Sequence, residues 1–150
     1  MIEKEFAILN ENYDEILNFK NKIPSKNWLK YYEEALLEEE FDRQEVGFTE
    51  EEENLLSKMN ISRINFINHS RLAFEQFIIQ LSEATKSNSE EQINDSIQKL
   101  VTELRYINTE IKDISTGERE DIGVFFISIT NLTGLNFKDR KDIFLSWENW

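Results

Sequence analysis

The chain has no cysteine. That absence removes disulfide frameworks, thiolate zinc sites and thiol nucleophiles, and it suits a reducing compartment. One proline and four glycines in 150 residues are too little punctuation for the many turns of an all-β chain. There is a single histidine, His69, and Phe66 stands three residues before it, so the paired Glu-x-x-His motifs of a di-iron bundle are excluded. Inside a helical stretch a lone imidazole reads as a surface or packing residue. No run approaches the roughly eighteen uninterrupted apolar residues of a membrane span. The start, Met1 to Phe6 with Glu3 and Glu5, lacks the basic and apolar regions of a signal peptide. The expected location is therefore the cytoplasm, with no membrane partner.

Sequence motifs for catalysis are missing as well. There is no Walker A loop, dinucleotide-binding glycine pattern, Gly-x-Ser-x-Gly elbow or His-Glu-x-x-His pair. The segment from Asp113 to Glu118 resembles the opening of a calcium loop. Its glycine comes one position early, however, and Val124 occupies the place of the bidentate acid, so it reads as a helix-ending turn. No catalytic residue, metal site or cofactor is expected, and the chain is read as a non-enzyme.

What is present is apolar and acidic. Apolar residues form 39% of the chain and include eleven Phe and three Trp, enough to offset the ordering entropy of a single domain spanning residues 1–150. The net charge of −13 disfavours nucleic acid as a direct partner and favours a basic protein. The lean toward Ile, Asn, Lys, Glu and Phe is what AT-rich coding would give, which points to a low-GC bacterium or phage.

Apolar spacing is helical nearly throughout, so the expected fold is an all-α, single-domain antiparallel bundle of about five to six helices. Ile2, Phe6, Leu9, Tyr13 and Ile16 predict a first helix that ends before Pro24. Ser25 is expected to cap a second, carrying Trp28, Leu29, Tyr32, Leu36 and Phe41 and stopping at Gly47. Thr49 with Glu52 opens a third, with a break expected near Asn60 to Ser62. Ser89 with Gln92 opens the fourth, whose seam runs Ile93, Ile97, Leu100, Leu104, Ile107, Ile111, Ile114 and closes near Gly117. That seam suits core burial better than a coiled-coil dimer, because Val101 widens it. Residues 122–132 read as a strand or as a buried helix, and the helix is preferred because a lone strand has no partner. A short helix over 139–150 would present Ile143, Phe144, Trp147 and Trp150.

The charge is local. From Glu33 to Glu53 eleven acids stand against one base, Arg43. Glu50 to Glu53 fall in a first helical turn, where the macrodipole welcomes them and no function is required. Glu38, Glu39 and Glu40 are expected in the last turns of the second helix, where the dipole disfavours anions, and Glu34 lies four residues before Glu38 on the same face. The expected partner-binding residues are Glu33, Glu34, Glu38, Glu39, Glu40, Asp42 and Glu45, with Tyr31 as an aromatic anchor within the charged rim. The competing reading is a merely solvated face.

This charge map suits a stoichiometric inhibitor of immunity-protein type, which would neutralise a cognate basic toxin such as a nuclease by blocking its active or substrate-binding surface. Two alternatives stand beside it: a phage-type mimic of nucleic-acid charge that inhibits a host defence enzyme, and a self-associating structural or regulatory bundle.

Overall fold

A computed structural model describes residues 7–135. The described chain is all-α, with four long helices rather than five or six and no strand among the described residues. Of the first expected helix, Ile2 and Phe6 lie outside the described residues; within them it is one α turn, α1 (Tyr13–Leu17), flanked by 3-10 turns at Asn10–Asn12 and Asn18–Lys22. Its apolar spacing is right, but the chain ahead of it is tied elsewhere. The Leu9 N–H donates to the Thr133 carbonyl (2.8 Å) and Asn12 Nδ2 to the Leu132 carbonyl (2.9 Å). The helix expected over 139–150, with Trp147 and Trp150, lies outside the described residues.

Pro24 occupies the first helical position of α2 (Pro24–Glu45), where its fixed φ suits the helix and its missing N–H is no loss. Ile23 thus takes the cap position, and Ser25 is not the cap that its residue type suggested. Its hydroxyl is buried without a hydrogen-bond partner among the described residues. Gly47, at φ 75, makes the turn, and Thr49 Oγ1 accepts from the Glu52 N–H to open α3 (Glu50–Lys86). This helix runs 37 residues without a break at Asn60 to Ser62. Asn60 and Ser62 stay helical because their side chains bond sideways to other elements, Asn60 to Glu39 and Ser62 to the Ile111 carbonyl.

The capped α4 (Glu90–Glu110) returns along the second half of α3 and buries Ile93, Ile97, Leu100, Val101, Leu104 and Ile107. Its seam faces the core, so it offers no surface for a coiled-coil dimer. The segment around Gly117 begins a helix rather than ending one. Ser115 and Glu118 form a reciprocal capping box at the start of α5 (Thr116–Asn131), which resolves the strand-or-helix ambiguity over 122–132 in favour of the helix. Gly134, at φ 86, ends the segment, and a Cβ there would collide with the Ala7 carbonyl oxygen.

One aromatic chain joins the elements. Trp28 of α2 stacks on Phe66 of α3 (centroids 5.1 Å apart), Phe74 meets Phe125 of α5 edge-on (5.1 Å), and Phe77 stacks near Phe126 (6.3 Å). Edge-to-face and offset geometries of this kind add to the burial of such large rings. The core ends abruptly, because no residue between Trp28 and Phe66 is buried.

Truncation should report that boundary. Phe74→Ala, in the fully buried chain of rings, should lower unfolding free energy by about 3–5 kcal/mol. Leu37→Ala, on the far side of the boundary, should change it by no more than about 0.5 kcal/mol. Denaturant titration of both variants checks this.

Candidate functional site

Beyond Trp28 and Phe66, α2 and α3 continue together as a two-helix hairpin from Leu29 to Asn65. Leu, Ala and Glu favour helix in this stretch, but burial contributes little, since only one face of each helix meets the other. Tyr32, Ala35, Leu36, Leu56 and Ile64 are half-buried along that seam, while Leu37, Phe41 and Val46 are exposed. Phe41 therefore does not join the apolar stripe of the second helix. It points away from α3, because the seam runs through positions 32, 36, 39 and 43.

The hairpin is held near its tip by Arg43. Its Nε and Nη2 donate to the two carboxylate oxygens of Glu53 across the turn (2.6 and 3.0 Å), and its Nη1 bonds Glu40 on its own helix. The guanidinium also stands over the Phe48 ring, 5.4 Å from its centroid. A planar fork facing a carboxylate in this way is the bidentate geometry that arginine provides and lysine does not. The hydrogen bond from Arg43 is the main cause holding the Glu53 carboxyl below its ordinary pKa, against a smaller opposing desolvation. Arg43 itself is pushed upward, first by Glu53 and next by Glu40.

The acids expected to bind a partner divide into two groups. Glu33, Glu34, Glu38, Asp42 and Glu45 are exposed. Glu39 is half-buried and accepts from Asn60 Nδ2 (3.2 Å), with Arg43 at 3.8 Å, while Glu40 is engaged by Arg43. These two carboxylates are thus occupied within the chain. Helix α2 runs on to Glu45, so it is Asp42 and Glu45, rather than Glu38 to Glu40, that meet the unfavourable end of the dipole. Tyr31 is 62% exposed and Tyr32 packs against the core.

Two adjoining depressions mark one face of the hairpin. The upper, of about 390 Å³, is lined by Ala35, Leu56, Glu38, Asp42, Glu52 and Leu55 among others. The lower, of about 570 Å³, reaches Trp28, Tyr31, Tyr32, Phe66 and the first turn of α5. Ala35 and Arg63 line both. Position by position the composition does not announce this groove. Its one linear trace is Arg63, a cation thirteen residues into α3 on the seam side. A larger groove, of about 640 Å³, lies between α3 and α4 and includes the exposed His69. Its lining is rich in amides (Gln76, Gln80, Gln98) and nearly balanced in charge (Lys99 with Asp95 and Glu103), so it lacks the directional field of the hairpin.

Among the described residues, no three His, Asp or Glu side chains are grouped to hold a metal ion, and no helix is long and apolar enough to cross a membrane. Comparison with protein-family models, with curated proteins and with solved structures gives no match to this chain.

The Arg43 clip has a pH dependence of known sign. The folded pKa of Glu53 lies below its unfolded value, so the clip's contribution is present above the ordinary carboxylate range and is lost as pH falls through the depressed value. Amide protection at residues 46–53, taken relative to the intrinsic exchange rate at each pH, should therefore fall on acidification of the wild type. In Arg43→Gln that protection should already be low at neutral pH and show no such step.

Proposed function

We propose that this protein is a non-catalytic binder of a basic protein, working as a stoichiometric inhibitor of the immunity-protein type. The observation that carries the reading is the hairpin itself. From Leu29 to Asn65 it buries no residue and bears eleven acids against four bases, Lys30, Arg43, Lys58 and Arg63. Arg43 is spent on Glu53 and Glu40. A core does not require such a projection, and solvation alone does not require a clip to hold its shape.

The mechanism is blockade. The exposed carboxylates of Glu33, Glu34, Glu38, Asp42 and Glu45 steer the hairpin onto the Lys/Arg surface with which a toxin such as a nuclease grips its substrate, and they speed encounter. Exposed Tyr31 and the apolar residues of the hairpin then slow dissociation, as anchors within a charged rim do. The clip keeps the two helices in register before the partner arrives, so less ordering entropy is lost on binding. A cysteine-free chain suits the cytoplasm, where such an inhibitor would protect its own cell.

Affinity capture from host extract, at low and at moderate salt, tests the proposal. Wild type should retain one basic protein, less of it as salt rises, and should abolish that protein's activity at equimolar amounts. A variant carrying Glu33→Gln, Glu34→Gln, Glu38→Gln, Asp42→Asn and Glu45→Gln should lose it. Equal retention by both would sink the electrostatic blockade.

A further inference from the structure

The two adjoining depressions on the hairpin form one groove, and the fold shows what such a groove accepts. Lower down, the space between α2 and α3 is filled by a helix of this chain. Helix α5 meets α2 where Trp28 Nε1 donates to Asp121 (2.9 Å), and it meets α3 where Phe125 packs on Phe74. At its first turn α5 stops, with Ser115 and Gly117 at the end of the lower depression. The groove continues past it, unfilled, along the hairpin. From Phe66 to Leu55 on α3 that continuation is about 16 Å, or three helical turns.

We infer that this continuation seats a basic amphipathic helix of the partner, laid end to end with α5 so that the two hairpin helices and the incoming one make a three-helix bundle. The inference rests on the reading that the hairpin binds a basic protein, and it names the partner's binding element. The floor is apolar and shallow, with Ala35 and Leu56 half-buried there, so close approach of a helix is possible. The rims carry exposed apolar residues, Tyr31 at 62% and Leu55 at 61%, which would flank an apolar stripe on the guest.

Charge settles the chemistry of the guest. Toward the tip the rim is formed by Glu38, Asp42 and Glu52, which complement Lys or Arg on the guest's flanks. Arg63, half-buried and without an ion-pair or hydrogen-bond partner among the described residues, lies three residues from Phe66, toward the α5 end, and lines both depressions. It would take a carboxylate or the free C-terminal carbonyls of the guest helix and so fix its register. A neutral apolar guest would leave the three tip-ward carboxylates unmatched. An acidic guest would be repelled by them.

Selection of displayed random peptides, long enough for about three helical turns, against the intact folded protein provides the test. The expected winners are basic amphipathic sequences that become helical when bound. They should perturb the backbone amide resonances of Ala35, Leu56 and Arg63. The double variant Tyr31→Ser/Leu55→Ser replaces two exposed side chains and should keep the wild-type circular dichroism, yet bind the winners about tenfold more weakly or worse. Failure to enrich any peptide, or winners seated in the groove between α3 and α4, would overturn the inference. Basic winners held by the hairpin but outside the groove would overturn the groove alone and leave electrostatic binding standing. Neutral winners in the groove, indifferent to Glu38→Gln/Asp42→Asn/Glu52→Gln, would overturn the basic guest and the reading beneath it.

Discussion

The stacking of Trp28 on Phe66 is where this molecule changes character. On one side of that contact, α3 is surrounded by α1, α4, α5 and the start of α2, and its Phe, Ile and Leu residues are buried. On the other side the same helix has α2 as its neighbour and buries nothing fully. Most helical stability in proteins comes from packing of an amphipathic face, and helices without it are marginal in water. The hairpin must therefore borrow its order from the core at one end and from local chemistry at the other. Trp28 supplies the first, with its indole N–H fixed on Asp121 and its ring on Phe66. Arg43, the Thr49 cap and Gly47 supply the second.

Seen this way, the acids of the hairpin are not of one kind. Glu39, Glu40 and Glu53 build the hairpin through Asn60 and Arg43. Glu33, Glu34, Glu38, Asp42 and Glu45 stand exposed, and clustered like charges on one helix repel by a few tenths of a kcal/mol per i,i+4 pair. Such repulsion, added to scant burial, contributes nothing to the fold, and it supports the proposal that the hairpin, and not the more neutral groove between α3 and α4, is the working surface.

Much of the fold is legible in the sequence where a local rule and a burial rule agree. The Ile93 to Ile107 seam, the Thr49 and Ser89 caps and the stop at Gly47 each combine a periodic stripe with a side chain that satisfies a helix end. The failures occur where only one rule speaks. Ser25 has the right residue type for a cap, yet Pro24 sets the start. The stripe that ends at Ile16 has the right spacing, yet Leu9 and Asn12 are anchored to the residues that follow α5. Ser115 and Glu118 form a capping box whose local signal outweighs the stop that Gly117 between them suggests. For the site, the charge cluster and the exposed Tyr31 are linear features and could be read. The Arg43 clip was half visible as the lone base three residues after Glu40. The groove was not, because half-burial on a two-helix seam leaves the same periodic pattern as burial in a core.

The orientation of the hairpin follows from the order of elements. Because α5 enters the α2–α3 groove from below and begins at a tight capping box, it cannot extend upward to cover the hairpin: the chain before it must run back to α4 through residues 111–115, and Lys112, held over Phe66 and paired with Glu118, anchors that path. The hairpin's groove is thus left open by topology, and its rim is charged by sequence through Glu38, Asp42 and Glu52. The groove stays open while the bidentate Arg43 holds its two walls together and aligned, and this ordered, unfilled surface is what the proposed binding rests on.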